Sequence, residues 1–229
     1  MPKPPKPKCT ACQGTGISSK GKPCVPCHGT GRVTRVTQTI EKYAVLCIDP
    51  PWPKKKGGIR FIDKIRNTTL GRDNSSRELE YKTMPVADIF AMLDRDVLSL
   101  ASETHTVFVW GIDQFLHDGE KAMLDRGYRM HARLVWDKEN GVAPAFSLRY
   151  SHEYVTWWYK PRFMPVAKSS RGKHRTVIRE SAREHSRKPD VFYKLINDWF
   201  PEERKLDVFS REKRDGWDQW GDELDRFSI

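Results

Sequence analysis

Residues 43–52 read Tyr-Ala-Val-Leu-Cys-Ile-Asp-Pro-Pro-Trp. The run YAVLCI at 43–48 is short and apolar, the pattern of a strand buried on both faces. The strand has to stop at Asp49, because Pro50 and Pro51 have no backbone N–H with which to continue a ladder. A carboxylate therefore stands at the C-terminal end of a strand, where open α/β sheets gather their ligands. Pro50 also offers a carbonyl acceptor without a donor of its own beside it. Taken alone, the tetrad reads equally well as a rigid turn after a strand.

The pattern continues outward. Val86, Ile89, Phe90, Leu93 and Val97 recur at helical spacing, with Leu98 widening the face, and predict a helix over 85–101. THTVFVW at 104–110 predicts a strand, and 112–126 a helix closed by Gly127. YRMHARLVW at 128–136 and HEYVTWWYK at 152–160 are two more strands. Pro189 suits the first turn of a helix over 189–199 that presents Val191, Phe192, Leu195, Ile196 and Trp199 on one face. KLDVF at 205–209 is a last buried strand, and Trp217 and Trp220 are expected to pack the C-terminus onto the sheet. Alternating strands and helices predict an α/β fold, a mostly parallel central sheet flanked by helices. Residues 53–80 and 161–185 read as long loops, which in compact domains are usually functional.

The N-terminal segment is different. Residues 1–8 are rich in Pro and Lys, and 32–40 read as a strand or connector. Between them CTACQGTG at 9–16 is repeated as CVPCHGTG at 24–31. Two Cys-x2-Cys pairs can surround one zinc ion tetrahedrally, and the glycines let the backbone turn its N–H groups toward the sulfurs. Cys9, Cys12, Cys24 and Cys27 are the expected ligands of a structural Zn2+, while Cys47 reads as a core thiol. The expected organisation is a basic tail and zinc module over 1–38 and a second domain over 39–229. The repeat resembles half of the cysteine-rich zinc domain of DnaJ chaperones, which usually has four repeats.

Of 229 residues, 41 are Lys or Arg and 30 are Asp or Glu, a net charge of +11 that favours an anionic partner. The excess is clustered. Residues 1–40 hold seven basic residues and no acid, 54–72 hold seven against Asp63, and 162–188 hold nine against Glu180 and Glu184. Such clusters suit phosphates, although solvated surface loops look the same. The loops 53–72 and 162–188 are expected beside Asp49 as a positive groove, with Lys54, Lys55 and Lys56 contacting nucleic acid. No apolar run is long enough for a membrane span and no apolar stretch follows the N-terminal lysines, so the expectation is a cytoplasmic protein with no membrane partner.

Further motifs keep a fixed order. They are Tyr81-Lys82-Thr83-Met84, Phe108-Val109-Trp110, Leu134-Val135-Trp136-Asp137-Lys138, Arg149-Tyr150-Ser151-His152-Glu153, HSRKPD from His185 to Asp190, RKLDVFSR from Arg204 to Arg211, and GWDQWGDE from Gly216 to Glu223. With the Asp-Pro-Pro-Trp tetrad, these segments over 43–224 resemble the DPPW-class N6-adenine methyltransferases, a family that includes the eukaryotic messenger-RNA adenosine methyltransferase and bacterial and phage DNA enzymes. The resemblance implies a permuted Rossmann-like class I methyltransferase, with the catalytic tetrad first and the cofactor strand last. It implies S-adenosyl-L-methionine as cofactor, held by Asp49, Lys188, Phe209, Arg211, Asp222 and Glu223. It also implies a catalytic tetrad of Asp49, Pro50, Pro51 and Trp52, and a substrate side that includes Tyr81, His152 and Glu153.

The chemistry fits the tetrad. Adenine N6 is a poor nucleophile because its lone pair is delocalised into the ring. A carboxylate accepting one N6 hydrogen and a proline carbonyl accepting the other would orient that lone pair, so that catalysis is largely positioning. An aromatic neighbour could stack on an extruded base. The compact architecture resembles the phage and bacterial DNA branch, so the expected substrate is DNA in a bacterial cell or phage-infected host; a homodimer is one assembly left open, since the sequence does not determine the oligomeric state. The alternatives are N6-adenosine methylation of RNA, a catalytically silent nucleic-acid-binding homologue, and a zinc-dependent chaperone or scaffold.

The paired thiols make a direct prediction. Metal analysis of the purified protein is expected to find about one zinc per chain, retained in Cys47→Ala and lost when Cys12 and Cys24 are both replaced by Ser. A folded, metal-free N-terminal module would rule out the site.

Overall fold

The computed structural model describes residues 12–13, 15–24, 42–53, 61–63, 68–70, 83–140, 150–183 and 187–224. The chain divides into two compact units, Met1–Glu41 and Lys42–Ile229. In the first, the described residues form a tight loop closed by an isolated bridge between Ile17 and Pro23. The expected strand or connector over 32–40 lies outside the described residues.

The second unit is built on a seven-stranded sheet. Its elements in chain order are β1 (Tyr43–Ile48), β2 (Phe61–Asp63), β3 (Thr68–Leu70), α1 (Val86–Met92), β4 (Ala101–Gly111), α2 (Leu116–Asp125), β5 (Arg129–Asp137), β6 (His152–Lys160), β7 (Val177–Arg179), α3 (Asp190–Trp199), β8 (Lys205–Val208) and β9 (Trp217–Trp220). The sheet order is β7-β5-β6-β4-β1-β8-β9, and β2 pairs with β3 in a separate antiparallel ribbon. Only β6 runs against its neighbours, β4 and β5; the other ladders are parallel. The expected mixed architecture with a mostly parallel sheet is observed.

Alternation along β1 makes the layers. Val45 and Cys47 pack toward Phe192, Tyr193, Leu195, Ile196 and Trp199 of α3. Leu46 and Ile48 pack on the other face, toward Ile89 and Phe90 of α1 and Met123 of α2. Phe108 and Trp110 join the α3 side, and Val107 and Val109 the α1–α2 side. A strand with apolar residues at every position is thus explained by a core on each face.

Three details depart from the sequence pattern. The helix expected over 85–101 is α-helical only to Met92, then widens into a π-helical stretch over Leu93–Val97 and ends in a 3-10 turn over Leu98–Leu100. The two long loops contain β2, β3 and β7, each of only three residues, too short for a periodicity to show. Residues 217–220 are a full edge strand paired to β8, not merely a packing segment.

The basic stretch 162–188 needs a correction. β6 is antiparallel to β4, with Gly111 opposite Tyr154 and His105 opposite Lys160. Residues 161–175 therefore leave the sheet at the end opposite Asp49, and Ala167 and Ser170 hydrogen-bond the carbonyls of Trp199 and Asp198 at the far end of α3. Only the part from β7 onward returns to the end that carries Asp49. Chain direction, which charge clustering does not reveal, divides the expected groove.

β8 hands over to the C-terminal segment through a close backbone approach. Phe209 takes a left-handed φ of 61°, and its N–H donates to the Trp220 carbonyl at 2.6 Å. A Cβ on Gly221, whose φ is 149°, would lie 3.1 Å from the Phe209 Cα. Gly221, at the exit of the neighbouring strand, thus supplies the room that this backbone approach needs. Gly221→Ala is expected to cost about 1–3 kcal/mol of stability, seen as a lower urea midpoint at unchanged slope.

Candidate active site

β1 ends with Ile48 paired to Val109 and Val208, which sets Asp49 between the ends of β4 and β8. The Asp49 N–H donates to the Val208 carbonyl at 3.2 Å. The Pro50 carbonyl accepts the Trp52 N–H at 2.8 Å, a three-residue turn about Pro51, and the Pro51 carbonyl accepts the Met84 N–H at 2.9 Å. Each carbonyl oxygen has a second lone pair, so Pro50 can still accept another donor.

Trp52 serves as an anchor. Its indole N–H donates to the Trp110 carbonyl at 3.0 Å, and its ring stacks on Phe115 at 5.9 Å. It is 6% exposed, and a Cβ on Gly119 of α2 would come within 3.1 Å of it. The ring is occupied by packing and is not presented as a platform for a base.

Around Asp49 the charges alternate. Lys188, just before α3, places its Nζ 3.0 Å from Asp49 Oδ1 and 3.0 Å from Glu153 Oε2. Glu153, near the start of β6, reaches with its other oxygen to Lys138 Nζ at 2.6 Å. Burial acts to lower the Lys188 pKa, yet Asp49 and Glu153 together hold it above the ordinary lysine range. Burial acts to raise Glu153, but Lys188 and Lys138 bring it down to about 2. Burial raises Asp49, and Lys188 only partly offsets it while Glu153 adds repulsion. Glu153 thus has two ammonium partners, Lys188 and Lys138, whereas Asp49 pairs with the Lys188 that it shares.

Lys188 is held by its backbone surroundings as well. α3 has no side-chain cap from its own preceding residue. Instead Glu180, just past β7, accepts the N–H groups of Asp190 and Val191 at 3.0 and 2.8 Å, and Arg183 donates to the Lys188 carbonyl at 3.1 Å.

A shallow concavity opens beside Asp49, lined by Lys188, Phe209 and Arg211 together with Arg187, Tyr193, Asp207, Ser210, Glu212 and Arg214. Asp222 and Glu223 do not line it; Asp222 is exposed, and Glu223 reaches the site through an ion pair with Arg211 at 3.1 Å. His152 is half-buried, its Nε2 3.0 Å from the Tyr154 hydroxyl. Tyr81, Lys54, Lys55 and Lys56 lie outside the described residues, as do Arg149 and His185 of the ordered motifs.

The sequence pattern did not single out Asp207. It occupies a core-facing position of β8, where an alternating strand would carry an apolar residue, and that misfit is the signal that could have found it. Its Oδ2 accepts the Tyr193 hydroxyl at 3.1 Å and faces Arg214 Nη1 at 3.4 Å. Arg214 in turn lies over the Tyr193 ring at 3.6 Å and pairs with Glu212 at 2.6 Å. Burial raises the Asp207 pKa to about 7, against the pull of Arg214 and Tyr193.

In the N-terminal unit, Cys12 and Cys24 are buried, and the Gly16 N–H donates to the Cys12 sulfur at 3.2 Å. The Gly16 carbonyl accepts the Cys24 N–H at 2.8 Å, so one glycine ties the two cysteine segments together. Cys9 and Cys27 lie outside the described residues, and among the described residues no group of three or more His, Cys, Asp or Glu is arranged to hold a metal. No helix among the described residues is long and apolar enough to cross a membrane.

Residues 43–223 match the MT-A70 family model, and the chain belongs to that family. It is 27% identical over 191 residues to the Type II methyltransferase M.MunI of Mycoplasma sp, a match covering 80% of this chain and 78% of that protein. It is 25% identical over 213 residues to the N6-methyladenosine RNA methyltransferase MTA1 of Pyricularia oryzae, covering 85% of this chain and 50% of the relative. A putative N(6)-adenosine-methyltransferase MT-A70-like protein of Medicago truncatula is 23% identical over 191 residues, covering 81% of this chain and 27% of its own length. The chain thus spans half or less of the latter two.

Asp207 supplies a pH test of this site. Its folded pKa of about 7 lies above its ordinary 3.8. Between about pH 4 and 7 the folded protein holds a proton that the unfolded chain releases, so this group's contribution to stability falls as pH rises through that window. Asp207→Asn keeps an oxygen for Tyr193 but cannot ionise. The stability of the variant relative to wild type is therefore expected to increase from pH 4 to pH 8 in urea titrations; a constant difference would remove Asp207 as a titrating group.

Proposed function

We propose that the chain transfers a methyl group from S-adenosyl-L-methionine to N6 of adenine in nucleic acid, and that its substrate is DNA. The observation that carries the site assignment is Asp49 at the end of β1, beside the Pro50 carbonyl and next to the turn that follows β8. Bound S-adenosyl-L-methionine supplies an electrophilic methyl group on a sulfonium centre. The donor set suits such a molecule, since carboxylates at Asp49, Asp207 and Glu212 and cations at Arg187, Lys188, Arg211 and Arg214 line one concavity. Lys188, Phe209 and Arg211 would hold it from within, with Asp222 and Glu223 reached at the margin. The sheet is then a permuted Rossmann-like one, since the strand bearing the tetrad opens the domain and β8, late in the chain, pairs beside it.

Asp49 accepts one N6 hydrogen and the Pro50 carbonyl the other, which turns the nitrogen lone pair toward the methyl group. Full deprotonation before attack is not needed; the proton leaves during or after transfer, to Asp49 or to water. Glu153 and His152 border the same end of the sheet and are assigned to the substrate side. Tyr81 and the lysines at 54–56 are assigned there from sequence. Trp52 keeps its place in the tetrad as the anchor that fixes the prolines. Cys12 and Cys24, with Cys9 and Cys27, are assigned to a structural zinc, for which the Gly16 N–H to sulfur bond is the kind of support such sites use.

DNA is preferred because of the similarity to the Type II methyltransferase M.MunI, a match that covers 78% of that relative. RNA is the second reading, favoured by the similarity to MTA1. Methyl transfer from labelled cofactor to matched DNA and RNA, followed by nucleoside mass analysis, decides between them. Product on RNA alone would overturn the choice of DNA, and product on neither would overturn the enzyme assignment. Asp49→Asn keeps the side-chain shape but sets a donor against the N6 hydrogens. At saturating cofactor it is expected to lower turnover at least about a hundredfold, about 2.7 kcal/mol of transition-state stabilisation, while most nucleic-acid affinity is retained. Near-normal turnover would remove the tetrad from the chemistry.

A further inference from the structure

Four charges alternate along one line across the sheet ends. Asp49 connects through Lys188 to Glu153 at 3.0 Å each, and Glu153 connects to Lys138 at 2.6 Å. Their side chains are only 10–19% exposed. Two carboxylates and two ammonium groups cancel, so the line is neutral as a whole. Two indoles form its floor: Lys188 Nζ lies 5.1 Å from the Trp110 ring centre and Lys138 Nζ 5.1 Å from that of Trp136, with the rings edge to face at 5.9 Å. A cation over an indole face is stabilised. An unbalanced charge in such surroundings is costly, and uptake of a proton relieves it.

Lys138 follows β5, at the far end of the line from Asp49. We propose that Lys138 is a positioning residue for methyl transfer: by holding one oxygen of Glu153 and balancing its charge, it leaves Lys188 available to keep Asp49 a carboxylate. This rests on the reading of Asp49 as the group that faces the amino nitrogen. Without the Lys138 ammonium both Glu153 oxygens compete for Lys188, and the line carries one negative charge in excess. Both changes favour a proton on Asp49. The other groups acting on Asp49 are Arg211 after β8 and, behind it, Cys47, Tyr193 and Asp207. None of them is altered when Lys138 is replaced.

The test is the pH profile of turnover at saturating cofactor, together with an isotope-edited NMR titration of the Asp49 carboxyl. In Lys138→Met the acid limb and the Asp49 titration are expected to move up by about one pH unit, so turnover falls about tenfold on the acid side and recovers at higher pH. Lys138→Arg should leave both in place. In Lys138→Met/Glu153→Gln, where Asp49 and Lys188 remain as a neutral pair, both should return to or below the wild-type position, even if the plateau is lower. An unmoved limb and titration in Lys138→Met, or a double variant as displaced as the single one, overturns the proposal. If Lys138→Met does not fold, Glu153→Gln compared with the double variant decides: a residue acting through Glu153 leaves no further shift, and a further upward shift refutes it. A wild type that methylates no adenine would overturn the proposed function, while the carboxyl titration would still decide the role of Lys138.

Discussion

The ion pair between Asp49 and Lys188 joins the two halves of this domain's site. Asp49 is fixed by the register of β1 between β4 and β8, and Lys188 by the capped start of α3. A buried pair of this kind does little for net stability, because desolvation offsets most of the attraction. Its value is geometric. Removing either partner would unbalance the line of buried charges, so the strand end and the helix start are held together. Glu153 and Lys138 extend the same constraint to β6 and β5.

Aromatic rings pack directly against this line of charges. Trp110 and Trp136 lie beneath the two ammonium groups, and Phe192 packs edge-on against Trp110 at 4.9 Å. Trp52, on the opposite face, borrows the Trp110 carbonyl for its indole N–H. The tetrad is therefore rigid for two reasons: two prolines limit its backbone, and the indole that follows is pinned to the adjacent strand. The proposed orienting of a weak nucleophile would need rigidity of this kind, since misplacement by about 1 Å can cost about a hundredfold in rate.

The turn after β8 follows a different solution to a familiar steric problem. A turn after a strand that must approach another backbone closely is usually built from glycine at the turn itself. Here Phe209 takes the left-handed conformation, and the open space is provided by Gly221. Beneath the turn, Asp207, Tyr193 and Arg214 form a buried polar cluster that ties β8 to α3 and to the following loop.

The sequence by itself determined the strand ending in Asp49, the two-faced burial of that strand, the α3 face and the order of the motifs, because these are local patterns of apolar spacing and chain-breaking residues. It also marked Glu153 and Lys188 as site residues through motif resemblance. Their union with Lys138 belonged to tertiary structure, since antiparallel β6 brings position 153 beside positions 138 and 188 and no spacing along the chain encodes that meeting. The same is true of Asp207, whose burial in a polar cluster requires Tyr193 and Arg214 from elsewhere in the fold. It is true again of the basic stretch 162–188, where composition indicated one groove and chain direction sent its first part to the opposite end of the sheet. Local pattern specifies which residues must be buried or must turn; only packing decides which charges then face one another.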